Sequence, residues 1–442
     1  MNAVVEASER GAQIPECPTV MTESPDFASR PAYFRGRQQA AWERFQSLPM
    51  PARTDEAWRF ADVKALDLSP YRAAGAVSDA QQAVLLARSR GLGETAGRMV
   101  FANDRLLSHE VLADDMRAKG VIWLPLEQAL VEQRDLIERH FMSGDSLLGS
   151  AKFAALHEAH VKAGSFLHVP RGVEVALPIE VFHWLSGDGA AVFPHTLIVA
   201  DECSKVTVVD SFAGASDGPG FACGVNDIVV GNGASVTYVA IQRWSEKTLA
   251  FHLNNTSVAR DATALALRLN LGGARVRDEA ASHLRGQGGR SDMLSVSAAA
   301  GAQIFDQRTL QIHEQPDTAS DLLYKNALND RARTIFTGLI RVEPVAHKTD
   351  AYQKVRNLIL SNEAEANSAP GLEIEADDVR CTHGATSGTL EEDEMFYLQS
   401  RGIPRWEAQQ LITFGFLSEV FDRLPCASLR DHLTDLLHEK LG

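Results

Sequence analysis

Residues 263–273 read Thr-Ala-Leu-Ala-Leu-Arg-Leu-Asn-Leu-Gly-Gly, and this segment is the clearest indication of the architecture of the chain. Every second residue from Leu265 to Leu271 is a leucine, and the residues between them are alanine, arginine and asparagine. Successive side chains of a β-strand point to opposite faces of a sheet, so the alternation predicts a strand with one apolar face against a core. Gly272 and Gly273 end the strand.

Similar segments recur along the middle of the chain. From about Gly164 the sequence is rich in β-branched and aromatic residues, and comparable strands are predicted near Val206, Val236 and Leu265, with a later one at 334–342. A recurrence of roughly 30 residues is typical of a solenoid, in which each coil buries its apolar face on the next. The pattern favours a parallel β-helix and leaves a β-sandwich or a cupin-like jelly roll as the alternative.

The sequence on either side of this region has helical periodicity. Apolar positions recur at helical spacing at 30–46 and 125–141, and after Leu390 a helix is predicted that stacks Ile412, Phe416 and Val420. We therefore expect a mainly β protein with a parallel β-helix core and helical N-terminal and C-terminal domains. The expected segments are a mobile tail at 1–29, a mainly helical N-terminal domain at 30–160, the β-helix core at 161–385 and a C-terminal helical domain at 386–442.

The composition disfavours several kinds of partner and site. The 442 residues include 43 Lys and Arg and 58 Asp and Glu, a formal net charge of −15 at pH 7, which argues against nucleic acid or a membrane surface as partner. The N-terminal residues show neither a signal-peptide pattern nor a spanning segment, so a cytoplasmic protein is expected. The cysteines are odd in number and scattered, which supports neither a disulfide framework nor a zinc ribbon. They are Cys17, Cys203, Cys223, Cys381 and Cys426.

The motifs of several common enzyme classes are absent from the sequence. There is no Gly-x-x-x-x-Gly-Lys-Ser/Thr loop of a P-loop nucleotidase and no Gly-x-Ser-x-Gly elbow of a hydrolase. His157 and His160 are one residue too close for the His-Glu-x-x-His zinc motif, and we interpret them as a pair on a helix surface. His168, His183 and His195 could converge on a metal as in cupins, so a cupin-like metal enzyme is an alternative function.

One short motif offers metal-binding chemistry. Residues 378–386 read Asp-Val-Arg-Cys-Thr-His-Gly-Ala-Thr and place Cys381 and His383 two residues apart, so that on an extended strand both side chains lie on the same side. Sulfur and imidazole donors together suit iron–sulfur or zinc ligation. Two donors do not complete a tetrahedral site, so the others must come from elsewhere in the fold or from another chain. Taken alone, such a pair is more often structural.

Longer matches surround this motif in a fixed order. They are Thr349-Asp-Ala-Tyr-Gln, Arg356-Asn-Leu-Ile-Leu-Ser, the segment 372–388 and Met395-Phe-Tyr-Leu-Gln-Ser-Arg-Gly-Ile, with Glu56-Ala-Trp-Arg-Phe near the N-terminus. Together these segments closely resemble the SufB/SufD family of iron–sulfur cluster assembly proteins. Gly384 departs from the SufB form of the motif, His-Glu-Ala-Thr, in which a glutamate follows the histidine.

The resemblance implies a right-handed parallel β-helix flanked by helical domains, in a non-catalytic scaffold subunit of a SufBCD complex. The implied partners are a SufB-like paralogue and two copies of the SufC ABC ATPase, with a homodimer as a side form. A transient Fe–S cluster would be shared with the SufB-like chain, with His383 as the ligand from this chain and Cys381 as a less secure one. Reduced flavin would accompany the complex.

The resemblance also implies that the C-terminal helical region docks SufC. The candidate contact residues are Phe396, Tyr397, Ile412, Phe416 and Val420. Broad apolar faces of this kind are more often intrachain core. A purely structural solenoid that never touches iron is a further alternative, and such a protein would tolerate loss of both metal-binding candidates.

Overall fold

The computed structural model of the chain describes residues 21, 23–144 and 146–442. Most of the tail expected at 1–29 lies outside the described residues. The described residues form nine α-helices, and three short 3₁₀ helices lie at Glu56–Trp58, Val63–Ala65 and Glu419–Arg423. The α-helices are α1 Ala32–Ser47, α2 Asp79–Arg88, α3 Asp114–Ala118, α4 Leu126–Glu132, α5 Arg134–His140, α6 Ala151–His160, α7 Glu392–Ser400, α8 Arg405–Ser418 and α9 Ala427–Leu441.

Most strands lie in the middle of the chain, but four short ones, β1 to β4, lie in the N-terminal region. They are β1 Arg72–Ala73, β2 Gly97–Ala102, β3 Arg105–His109, β4 Ile122–Pro125, β5 Gly164–Val169, β6 Ile179–Leu185, β7 Ala190–Val192, β8 His195–Ala200, β9 Lys205–Gly214, β10 Gly220–Val230, β11 Ser235–Arg243, β12 Thr248–Val258, β13 Thr263–Asn270, β14 Arg275–Leu284, β15 Arg290–Ala299, β16 Ile304–His313, β17 Ala319–Leu328, β18 Arg333–Val342, β19 Asp350–Ile359, β20 Glu365–Ile374 and β21 Arg380–Thr389.

The strands wind into a parallel β-solenoid. Sheet A follows the order β20-β18-β16-β14-β12-β10-β8-β5-β4, and sheet B follows the order β21-β19-β17-β15-β13-β11-β9-β6-β2-β3. Consecutive strands from β8 onward thus alternate between the sheets, and each of these strands pairs in parallel with its neighbours in the sheet. The predicted β-helix core and helical ends are confirmed. The alternative prediction of a jelly roll is wrong, because the strands of a jelly roll pair antiparallel.

One corner of the solenoid is built the same way in every coil. A residue with positive φ recurs there at intervals of roughly 30 residues, the repeat expected from the strand pattern. The series is Gly172, Cys203, Gly233, Asp261, Gly288, Asp317, Lys348 and Asp378. The N–H of Cys203 donates to the carbonyl oxygen of Asn232 in the next coil, and the N–H of Asp261 donates to that of Gln287. Glycine, Asp and Asn tolerate this conformation best, which explains most members of the series.

The leucine wall identified in the sequence lies on the outside of sheet B. The buried leucines Leu267, Leu269 and Leu271 form one cluster with Leu417 of α8 and Leu433 of α9. Each fully buried leucine contributes about 2 kcal/mol of hydrophobic stabilisation. The leucine face of β13 therefore holds the C-terminal helices against the solenoid.

The other face of these strands lines the lumen between the two sheets, which is partly polar. There the side-chain amide of Asn326 donates to Asn357 Oδ1 over 2.8 Å, and Asn357 Nδ2 donates to Ser387 Oγ over 3.2 Å. These three residues are register partners on β17, β19 and β21. Polar side chains of successive coils thus hydrogen bond to one another along the lumen.

The two ends of the solenoid are different. At the N-terminal end, β3 pairs antiparallel with β2 and β4 pairs antiparallel with β5, so these short strands cap both sheets. At the C-terminal end, β20 and β21 are the last strands of their sheets in the described residues, and most of their residues are at least partly exposed. The second end is therefore open.

The bounds of one helix and of the last strand differ from the sequence-based expectation. The helix predicted at 125–141 is two helices, α4 and α5, because Gln133 leaves helical geometry at φ −123° and ψ 38°. The last strand, β21, continues to Thr389, beyond the boundary expected at residue 385.

Candidate functional site

Cys381 and His383 lie on the lumen face of β21, in the last coil. Asn357 locates this face, because its Nδ2 reaches both Ser387 Oγ on β21 and Ser368 Oγ on β20, on the opposite sheet. Alternate residues of a strand share a face, so Cys381 and His383 point the same way as Ser387. The structure brings the two donors to one side, as their spacing predicts, while their role as ligands stays a prediction.

The two donors have different surroundings. Cys381 is half-buried and packs in an apolar cluster with Val342 and Ala351. Burial raises the pKa of the Cys381 thiol, and a hydrogen bond from the backbone of Ala351 opposes that change. The side chain of His383 is exposed. His383 is therefore the more accessible donor, and Cys381 must lose a proton from a partly apolar site before it can bind a metal.

The site is incomplete in the described part of the chain. No three His, Cys, Asp or Glu side chains among those residues are grouped closely enough to hold a metal ion. Cys381 and His383 thus offer two donors, whereas tetrahedral coordination uses four.

The three histidines considered for a cupin-like centre have separate environments. His168 Nε2 lies 2.8 Å from an oxygen of Asp201. The ring of His183 stacks between Phe101 and Phe212, with centroid distances of 5.2 and 5.1 Å. These neighbours give His168 and His183 local structural roles rather than a common metal.

The third histidine, His195, is paired with His157 of α6. His157 Nε2 lies 3.2 Å from His195 Nδ1, and His157 Nδ1 lies 2.7 Å from the carbonyl oxygen of Cys223. Both rings are buried, and so is that of His160. The interpretation of His157 and His160 as a surface pair is wrong, because α6 is buried on all sides from Phe153 onward.

Burial keeps this histidine cluster uncharged. It lowers the pKa of His157 to about 4 and that of His160 to about 3. Neutral buried imidazoles need hydrogen-bond partners of their own, and His157 has two. The cluster joins α6 to the sheet and is separate from the motif on β21.

The predicted partner-binding residues divide into exposed and buried groups. Phe396 and Tyr397 on α7 are 71% and 56% exposed. Ile412 and Phe416 on α8 are partly buried, and Val420 is fully buried in the cluster that contains Leu433. Val420 therefore presents no surface to a partner, because its apolar face attaches the helices to sheet B.

Two further apolar residues of α8 are exposed, although neither was predicted to contact a partner. Trp406 is 64% exposed and Leu411 is 47% exposed. Leu411 lies outside the stripe that contains Leu417, whereas Trp406 lies on that stripe but in the first turn of α8, where it stays exposed. An exposed tryptophan and a leucine off the stripe were therefore signals available in the sequence. With Phe396 and Tyr397 they form a set of exposed apolar residues that we call the α7–α8 surface.

None of the helices in the described ranges is both long enough and apolar enough to cross a membrane.

The fold and the site define a β-solenoid protein with helical ends, in which candidate metal donors lie at the open end of the lumen. Two family models match the chain, the SufBD core domain of the SUF system for FeS cluster assembly at residues 183–416 and the SufBD N-terminal region at residues 27–181. The chain belongs to the SufBD family of iron–sulfur cluster assembly proteins.

Relatives of similar length support this assignment. The chain is 29% identical to the iron–sulfur cluster assembly protein SufD of Bacillus subtilis over 421 residues, which cover 93% of this chain and 94% of that protein. It is 28% identical to SufD of Escherichia coli over 398 residues, 89% of each chain. A SufBD family protein of Synechocystis is 29% identical over 410 residues, 90% of this chain and 89% of that protein.

Proposed function

We propose that this protein is a non-catalytic scaffold subunit that assembles with a SufB-like paralogue and a SufC-like ABC ATPase. In this proposal the chain supplies one side of the site at which an Fe–S cluster forms, and the cluster is the cargo of the complex. ATP hydrolysis belongs to the ATPase partner. The complex is cytoplasmic, and reduced flavin belongs to the assembled complex.

The observation that carries the proposal is the open end of the solenoid. Two neighbouring strand edges, β20 and β21, end their sheets there, and the same coil presents the imidazole of His383. An unpaired strand edge is a template for another strand. A SufB-like chain that added its own strands would bring its donors next to His383.

The backbone of both edge strands is suited to such pairing. The N–H of Arg380 donates inward to the carbonyl oxygen of Thr349, so by alternation the N–H groups of His383 and Ala385 point away from the sheet. On β20 the N–H of Glu365 donates inward to Ala332, which places the missing N–H of Pro370 on the outer side. Proline is compatible with a sheet only at such an edge position. A homodimer of this chain would use the same edge.

Exposed aromatic residues support the docking of an ATPase at the C-terminal helices. The α7–α8 surface presents two aromatic side chains that are more than half exposed on α7, and Trp406 at the start of α8. Aromatic residues of this kind often dominate the binding energy of protein interfaces. Helix α7 packs on α8, and α8 packs on sheet B, so a pull on either helix would be transmitted to the solenoid.

The test is a His383→Ala variant in the complex reconstituted with the SufB-like and SufC-like chains. We expect an intact complex by size-exclusion chromatography and a large loss of bound iron and acid-labile sulfide after anaerobic assembly. Thr382→Ala is the matched control, because Thr382 is exposed on the opposite face of the same strand. Unchanged cluster yield in an intact His383→Ala complex would exclude the ligand role.

The purely structural alternative is tested in the same experiment. A solenoid that only organises its partners should retain the cluster when Cys381 and His383 are both replaced. Loss of the cluster in that double variant, with all three subunits still present, supports the scaffold that contributes a ligand.

A further inference from the structure

A side-chain amide without a partner lies in the lumen directly beneath the last coil. Gln353 on β19 is fully buried, and neither its Oε1 nor its Nε2 has a hydrogen-bond partner in the described part of the chain. A buried amide that bonds to nothing is costly, so its presence indicates a contact that it is able to make.

The amide is held in a niche that only glycine leaves open. A Cβ atom on Gly338 would lie 2.7 Å from both Oε1 and Nε2 of Gln353. Gly338 belongs to β18 in the opposite sheet. The side chain of Gln353 therefore extends across the lumen, and its polar end lies below the open end of the solenoid.

His383 is the residue of the next coil that lies over Gln353. The two are register partners on β19 and β21, on the lumen face, and adjacent strands are separated by about 4.8 Å. In another column of the lumen face, Asn326, Asn357 and Ser387 have the same relationship and are linked by hydrogen bonds of 2.8 and 3.2 Å. Coils at this spacing thus allow polar lumen side chains to reach one another.

We propose that the carboxamide of Gln353 positions His383 by accepting a hydrogen bond from one ring N–H at Oε1. This contact fixes the tautomer of the imidazole and leaves the other ring nitrogen free of a proton and directed out of the lumen. Histidines that bind metals commonly donate their second N–H to such a partner. The metal-binding consequence rests on the proposed function, whereas the hydrogen bond requires neither a partner chain nor a metal.

The experiment measures the tautomer of His383 in the isolated full-length chain. Long-range ¹H–¹⁵N spectra of protein labelled with ¹⁵N-histidine show which ring nitrogen carries the proton, and His383→Gln assigns the resonance. We expect one tautomer in the wild-type chain at pH 8, and a mixture of both in Gln353→Met, which keeps the length of the side chain but removes the acceptor. Ser295→Ala is the control, because it removes another unpartnered buried polar group from β15, in a different column.

The outcomes are distinct. A change in the His383 ring shifts in Gln353→Met and not in Ser295→Ala supports the contact. Identical shifts in the wild-type chain and in Gln353→Met, or a mixture of tautomers already in the wild-type chain, overturn it, and water then satisfies the amide. A thermal unfolding scan of each variant shows that the fold is retained.

A second readout separates this inference from the function proposed above. In the reconstituted complex, loss of a residue that supports a metal ligand lowers metal affinity by about 10-fold or more, so Gln353→Met should retain less iron than Ser295→Ala at limiting iron. If His383→Ala leaves the cluster intact while the tautomer shift is still observed, the hydrogen bond stands and the ligand role fails.

Discussion

Arg268 on β13 and Asp278 on β14 form an ion pair across the lumen, with 3.3 Å between Nε and Oδ2 and side chains that are each 5% exposed. Burial raises the pKa of Asp278, and the guanidinium of Arg268 opposes this change. The side-chain amide of Asn254 also donates to Asp278 Oδ1 over 3.1 Å. The pair thus links the two sheets, and each buried charge is stabilised by the opposite charge of the other residue.

Replacing one member of this pair should be more harmful than replacing both. Arg268→Met leaves the carboxylate of Asp278 buried without its partner, and we expect a loss of about 3–5 kcal/mol in the free energy of unfolding. Adding Asp278→Asn removes the unpaired charge and should restore a large part of that loss. Urea denaturation of the single and double variants measures both values, and a double variant no more stable than Arg268→Met would contradict the coupling.

Acid should destabilise the protein through its buried histidines. Burial lowers the pKa of His183 to about 3, below the ordinary value of 6.5. The unfolded chain therefore binds a proton near pH 6.5 that the folded chain does not bind, and stability falls as the pH drops from 6.5 towards 3. Between pH 7 and pH 5 this single group should cost about 2 kcal/mol.

A His183→Phe variant isolates this effect. The ring of His183 already stacks between two phenylalanines, and its Nε2 has no hydrogen-bond partner among the described residues, so phenylalanine should fit the site. We expect its free energy of unfolding to fall by about 2 kcal/mol less than that of the wild-type chain between pH 7 and pH 5. Equal losses in the two proteins would show that His183 does not contribute.

Proline at position 385 should block pairing at the open end and spare the fold. The N–H of Ala385 points away from sheet B, so Ala385→Pro removes no bond within the chain, but its ring and missing donor oppose an added strand. We expect binding to the SufB-like chain to weaken by about tenfold or more, as measured by calorimetry. Thr386→Pro is the comparison, since the N–H of Thr386 points towards β19 and its loss should lower the melting temperature instead. Unchanged affinity in Ala385→Pro would mean that the partner does not pair with β21.

Loss of two exposed aromatic side chains should weaken ATPase binding selectively. Replacing Phe396 and Trp406 with alanine should cost about 2 kcal/mol or more of binding energy to the SufC-like chain, close to a 30-fold change in Kd. The melting temperature should hardly change, because both side chains are exposed. Val131→Ala is the control, since Val131 is 70% exposed on α4, away from the C-terminal helices. Equal affinities for the double variant and the control would exclude the α7–α8 surface as the docking site.

The sequence was sufficient to predict the solenoid but not which face of its strands is inside. The alternation from Leu265 to Leu271 identifies a strand, and its recurrence identifies coils. Both faces of a covered parallel sheet are buried, so the period of two cannot show whether the leucines or Arg268 line the lumen. That depends on α8 and α9, which come from a distant part of the chain.

The candidate site, like the fold, was predictable only in part from the sequence. Period-two geometry was enough to place Cys381 and His383 on one side of a strand. Gln353 could not be identified as their neighbour, because it lies in the previous coil and only the register brings it beneath His383. The burial of His157 was also missed, because the apolar residues of α6 surround the helix and give no stripe that would indicate a polar face.

The capped first end limits how far this molecule can assemble. β3 and β4 are only five and four residues long, they run antiparallel to their neighbours, and Pro125 ends β4, all of which oppose further pairing at that edge. A solenoid with two free edges would stack head to tail into filaments. Because one end is capped, another solenoid could add only at the open end. Such an assembly would stop at two solenoids, with the two lumens meeting at the interface between them.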